Sequence, residues 1–365
     1  MANFHMTLTP LSPVHIGCGI ELRQGFDFMP YNGFTYRLNE DAVLQAKAGK
    51  LLPDRSGKYP LPGSLLTEAD FASTQLFRYI IKGIPRSKKE DARVQACIKD
   101  VYDRPYIPGS SLKGALRTAL AWAGWEEVNP PLDRAALGRS RAWAAQPLER
   151  KFFGGNPNED LMRAVQVGDL MGPQNAGEGL ILINAQVLTR RNAGSPVELE
   201  ALRPNIEFHG EIHIDDSLFS SMAEPRLRFS NRRHWLDELL PRAQKHSLER
   251  AARLADWFDQ MEGCERIAGF YHQIAELPVA KDWAVLQLGW GTGWDGMTFG
   301  TRLQGDKRLF EQIVSDYRMV KTGRSAPRRV GDPFPRSKRV AMTVKQGIEQ
   351  PTAPLGWVKL EFNKA

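Results

Sequence analysis

Apolar and polar positions switch between a two-residue and a helical period along this chain, and the switches lay out its elements. Alternation predicts a first strand over Phe4 to Thr9, followed by a loop rich in Pro and Gly from Pro10 to Gly19. Phe26 to Met29 and Phe34 to Leu38 alternate around Tyr31-Asn32-Gly33, the pattern of a hairpin whose glycine supplies positive φ. Asn39 is placed to cap a short helix that Gly49 ends. After the Pro-rich connection Leu51 to Pro62, a helical period covers Leu65 to Ile81 and again Ser87 to Val101. A further helix opens at Ser110 and stops at Gly124, and strand character returns near Ala164 to Gly168.

The polar, Gly-rich stretch Met171 to Gly179 is the best place for a loop between two halves, or for a hairpin tip. Beyond it the pattern restarts with strands at Leu180 to Leu188 and Ile206 to Ile214. His209 and His213 share one face of the second of these, spaced for a polar surface rather than for chelation. Helices are predicted at His234 to Leu240, ended near Pro241, then at Gln244 to Met261, Cys264 to Leu277 and Asp306 to Asp316. Trp283 to Leu288 and Gly356 to Phe362 read as strands. Each half mixes strands with helices and begins from a strand, which predicts an α+β fold. The length of 365 residues suits two domains, divided here as residues 1–175 and 176–365.

Composition narrows the class. Apolar residues at 42% and charged residues at 25% are those of a folded, water-soluble chain. A net charge of +7 and a pI near 9.3 suit a polyanionic partner without requiring one. Cys18, Cys97 and Cys264 form no C-x-x-C pair, and their odd number argues against a disulfide framework, so a reducing cytoplasm is expected. The first residues lack the basic and apolar regions of a signal peptide, and no apolar run reaches the roughly 20 residues needed to cross a bilayer.

Three segments could carry chemistry. Tyr106 to Leu120 brings an apolar entry, a Pro-Gly turn, Ser110 and Ser111 as caps, and then Lys113 and Arg117 four residues apart on one helix face. A helix mouth with free N–H groups and two such cations is suited to phosphate. Leu288 to Gly300 holds five glycines and follows a strand. It lacks the Gly-Lys-Ser/Thr of a Walker A loop, so a nucleotide cofactor is not expected, while Trp290 and Trp294 either stack on bases or pack on the core. From Arg318 to Arg339 the chain carries eight basic residues against Asp332 alone, with prolines that keep it extended, as suits a sugar-phosphate backbone. The charges of Pro85 to Val101 balance and read as a solvated helix face. His15, in a Gly-flanked loop, is the one serious candidate for a general base, and it has no visible catalytic partner.

Four segments, in this order, resemble the RAMP superfamily of CRISPR effector subunits: Thr9 to Gly19, Tyr106 to Arg117, the Gly289 to Gly300 loop and Pro354 to Lys359. The combination is most similar to the fifth-subunit family of the type III-A Csm series. The resemblance implies two ferredoxin-like (RRM-type) domains with helical insertions and glycine-rich loops. It also implies a place capping the backbone filament toward the 3′ end of the CRISPR RNA (crRNA), help in maturing that RNA, and no catalysis by this chain. Implied partners are crRNA, target single-stranded RNA in the assembled complex, and other backbone and small subunits of the Csm type; no membrane, metal or cofactor is implied. RNA contact is carried over to His15, Gly17, Ser110, Ser111, Lys113 and Arg117, and a structural or RNA-facing role to Gly289, Gly291 and Gly293. Gly109, Trp290, Lys321, Arg328 and Arg329 complete the expected set. The glycine loop departs from the family pattern at Trp294-Asp295, where Lys-Thr is more usual and Lys321-Thr322 could stand in, and Pro335 to Arg339 matches only loosely. The competing expectations are an endoribonuclease acting on precursor crRNA through His15, and a RAMP subunit of a type III-B or related complex.

Overall fold

The computed structural model describes residues 2–87, 92–133, 137–138, 140, 144–189, 194, 196–320 and 328–364. Two sheets carry the chain. The first runs in the order Trp283–Gln287, Trp357–Lys364, Ala2–Pro10, Phe208–Ile214, Leu170–Met171, Tyr106–Ile107, and Val165–Val167 also pairs with Phe208–Ile214. The second runs Gly17–Arg23, Arg93–Cys97, Val197–Leu202, Leu180–Thr189, Phe77–Lys82, Phe34–Leu38, Phe28–Tyr31. The hairpin Ser337–Lys345 with Ile348–Pro354 is attached through Leu180–Thr189. The chain passes from the first sheet to the second between Met171 and Leu180, and each sheet draws strands from both sides of that passage.

The α+β class predicted from periodicity is the one observed, and most elements fall where expected. Tyr31 pairs with Phe34 across Asn32 and Gly33, both at positive φ. Asn39 accepts the Ala42 N–H and caps Glu40–Ala46. The helix Gly109–Ala123 buries Leu112, Leu116, Ala119 and Leu120 in the same core that takes Met6, Leu8, Phe208 and Leu360 from the first sheet, the stripe that a 3.6-residue period dictates.

Four expectations are corrected. Phe77–Lys82 and Arg93–Cys97 are strands, not helices; Phe77, Tyr79 and Ile81 are buried while Arg78 and Lys82 are exposed, so the period over that segment is two. The helix expected over His234 to Leu240 is Arg233–Asp237, and Pro241 sits beyond its end in the first turn of a new helix, Leu239–Asp259, where a missing N–H costs nothing. Val197–Leu202 forms a strand that periodicity did not single out. Ser337 to Arg339, expected at the end of an extended basic loop, starts a strand that pairs with Leu180–Thr189.

Candidate nucleic-acid interface

The N-terminal loop is built around His15. Its neighbour Ser12 accepts the Trp357 N–H on Oγ at 3.0 Å, and Val14 bridges to Leu202. The His15 ring is 4% exposed, with Nδ1 2.6 Å from the Glu200 carbonyl, which requires the proton on Nδ1. Burial lowers its pKa below the ordinary value, against the opposing pull of the Glu200 carbonyl. Nε2 faces the backbone of Gly17, where a Cβ would lie 3.0 Å away. His15 is therefore an interior strut, and the expectation of an exposed base or phosphate contact at its ring is corrected. Beneath it the Glu200 carboxylate, 2% exposed, accepts from Tyr79 Oη at 2.6 Å, from the Cys97 N–H at 3.0 Å and from Lys99.

The glycine-rich loop locks onto this strut. Trp290 donates its N–H to the His15 carbonyl at 2.7 Å, and a Cβ on Gly289, at φ +78°, would lie 2.5 Å from the same oxygen. Gly356 donates to the Pro13 carbonyl and accepts from Leu288, so three segments meet at one corner. Buried Arg250 donates to Gln287 Oε1 at 2.5 Å, at the end of the preceding strand, and to the Thr292 carbonyl of the loop at 3.4 Å. Burial pushes the Asp295 carboxyl up, but Lys338, paired with it at 2.7 Å, and Arg250 outweigh that and hold it below its usual range. Trp294 packs edge-on against Phe334 and beside Phe310, which decides its role in favour of the core. Trp290 is half-buried, with the His15 ring at its edge and the Arg339 guanidinium 4.8 Å over its face.

At the helix mouth the caps differ from expectation. The helix begins at Gly109, and neither Ser110 nor Ser111 caps it; the Gly109 N–H donates to Asp169 Oδ1 at 2.8 Å. Gly109 is pressed against the Val167 carbonyl, 2.2 Å from where a Cβ would stand. A carboxylate from a residue sixty positions along the chain thus sits at the positive end of the dipole, a partner that local sequence could not reveal. Ser110 is exposed and Ser111 half-buried at the rim.

Lys113 and Arg117 do share a face and line one cleft of about 340 Å³ with Arg150, Arg163, Glu149 and Asp160. Arg117 is already occupied, 2.8 Å from Asp160 and stacked 3.9 Å over Phe153. Lys113 is partly buried, and burial lowers its pKa against the attraction of Asp160. Of the late basic segment, Lys321 lies outside the described residues. Arg328 is a structural cation, held by both Glu311 oxygens at 2.5 and 2.7 Å, whereas the Arg329 side chain is exposed.

A two-sheet α+β chain with a glycine-rich loop clamped on the first post-strand loop, beside a helix entered through Pro-Gly-Ser-Ser, defines a class. The chain matches the RAMP superfamily over residues 7–294 and belongs to it. It is 28% identical over 236 residues to the "CRISPR system Cms protein Csm5" of Streptococcus thermophilus; that alignment takes in 57% of this chain and 63% of the relative, somewhat under two thirds of the relative's length. Its fold is similar to a chain in the cryo-EM structure of a Csm-crRNA-target RNA ternary complex of a type III-A CRISPR-Cas system, with TM-score 0.72, 22% identity, and 98% and 100% of the two chains covered. It is similar also to the crystal structure of T. onnurineus Csm5, with TM-score 0.65, 21% identity, and 96% and 99% covered.

Proposed function

We infer that this chain is a crRNA-holding subunit of a type III-A CRISPR effector complex, capping the protein filament toward the crRNA 3′ end and aiding maturation of that RNA. The observation that carries this reading is the joint match of residues 7–294 to the RAMP superfamily and of 236 residues to a Csm5 protein. Its partners are crRNA, target single-stranded RNA in the assembled complex, and the other Csm-type subunits. In this reading the contact surface comprises Ser110, Ser111 and Lys113, with Arg150 in the same cleft as Lys113, and separately the Gly289 to Gly293 loop, and it grips backbone phosphate rather than base edges. Affinity then falls steeply with salt and varies little with guide sequence.

The chain itself performs no cleavage in this reading. A general base needs a ring open to substrate, and the His15 imidazole is enclosed with one nitrogen engaged. The test is reconstitution of the complex with Lys113→Ala and Arg150→Ala together: guide retention drops, and purified chain leaves labelled precursor crRNA intact in EDTA. Full guide retention with normal melting would show that those cations face only water. Specific cleavage abolished by His15→Ala would make the chain an endoribonuclease.

A further inference from the structure

A second groove, of about 840 Å³, lies between strands of the second sheet and the helix Glu265–Ala275, lined by Lys82, Arg203, Arg266 and Lys345 and by no carboxylate among the described residues. This sets it apart from the cleft at Lys113, where Asp160 and Glu149 share the lining with the cations. All four groove cations are exposed.

Three of the four stand on strands or a helix, and the fourth is fixed by backbone bonds. Lys82 ends a strand in register with Ile181, which also lines the groove. Thr343 and Lys345 are two apart on Ser337–Lys345, and so face the same side about 7 Å apart. The segment bearing Arg203 and Asn205 is pinned at both residues, by N–H bonds of 2.8 Å to the carbonyls of Gly179 and Pro10. Arg266 and Phe270 lie one turn apart on Glu265–Ala275, and the half-buried Phe270 ring is backed edge-on by Tyr271 and Trp357.

Single charges spaced along a preformed groove, hydroxyl and amide groups between them, and one supported aromatic face are the parts that single-stranded nucleic acid uses: phosphates on cations, sugars on polar groups, a base on the ring. We propose that this groove is a second RNA track, binding a single-stranded RNA backbone independently of the surface at the Gly109 helix and without sequence preference. It goes beyond the crRNA-holding role, because the strand it takes need not be the guide.

The test uses the full chain and fluorescein-labelled single-stranded oligouridine, followed by anisotropy across a salt series. Arg203→Ala with Arg266→Ala weakens binding at least tenfold and flattens the log K against log salt slope by about 1.4, the share of two phosphates on a single strand. Phe270→Leu weakens binding about tenfold and leaves the slope unchanged. Oligouridine bound by the wild type with the same affinity and slope in the double variant, at unchanged melting temperature, overturns the groove and leaves the wider RNA-binding role standing. No binding by the wild type at low salt also overturns it, while guide retention in the reconstituted complex tests the wider role separately. If labelled polyglutamate binds and loses affinity in the double variant while oligouridine does not, the groove serves an acidic protein segment and the proposal fails.

Discussion

The Trp290 N–H and the His15 carbonyl meet at 2.7 Å, and that bond ties the glycine-rich loop to a segment about 275 positions earlier in the chain. Gly289 makes the approach possible, since its φ is +78° and a side chain would strike the same carbonyl at 2.5 Å. Gly289→Ala is expected to lower stability by more than about 1 kcal/mol, through the backbone conformation and the steric clash together. Thermal melting checks it; an unchanged midpoint would mean that the loop is not locked on His15.

Asp169 occupies the mouth of the Gly109 helix through its bond to the Gly109 N–H. Asp169→Asn keeps an acceptor there and removes a negative charge from the path of an RNA phosphate. The charge–dipole scale of about 0.3–1 kcal/mol translates into RNA affinity raised roughly twofold to fivefold at low salt. Titration of labelled RNA in low and high salt measures it, and equal or weaker binding by the variant would place the RNA elsewhere.

Glu200 and Lys99 form a buried ion pair, 2% and 11% exposed. Glu200→Gln leaves the Lys99 charge without its partner and is expected to cost about 3 kcal/mol, whereas adding Lys99→Met recovers a large part of that loss. Urea unfolding of the two single variants and the double variant closes the cycle. Additive losses would show that the two side chains act independently.

Acid should weaken the fold through its interior histidines. Burial holds both His15 and His246 below the ordinary imidazole value, His246 well below, with Arg250 and Arg302 adding to the effect there. The unfolded chain therefore takes up protons first as pH drops, so this stability is complete above about pH 6.5 and is lost on moving down toward the folded-state values. Unfolding midpoints measured between about pH 7.5 and pH 5.5 should fall, and fall less in His246→Leu.

Much of this protein was legible without coordinates because the deciding signals are local. The Asn32-Gly33 hairpin, the Asn39 cap, the 3.6-residue stripe of Leu112, Leu116 and Leu120, and the amide-rich glycine loop each depend on residues within a few positions of one another. The ordered motifs likewise resemble the RAMP superfamily through residues close together in sequence. The misplaced helices at Leu65 to Ile81 and Ser87 to Val101 arose where short apolar runs fit both periods, and only pairing with neighbouring strands selects the extended form.

Tertiary structure alone decided what each candidate side chain could do. Charge and residue type announce a cation, but whether it is free depends on carboxylates brought from elsewhere in the chain. Asp160 reaches Arg117, Glu311 takes Arg328, and Asp169 fills the helix mouth. The same long-range folding turned His15 from an apparent base into a strut, and gathered Lys82, Arg203, Arg266 and Lys345 from four separate segments into one groove. Local periodicity is written in neighbouring residues, whereas burial and pairing are properties of surfaces that meet only after the sheets have formed.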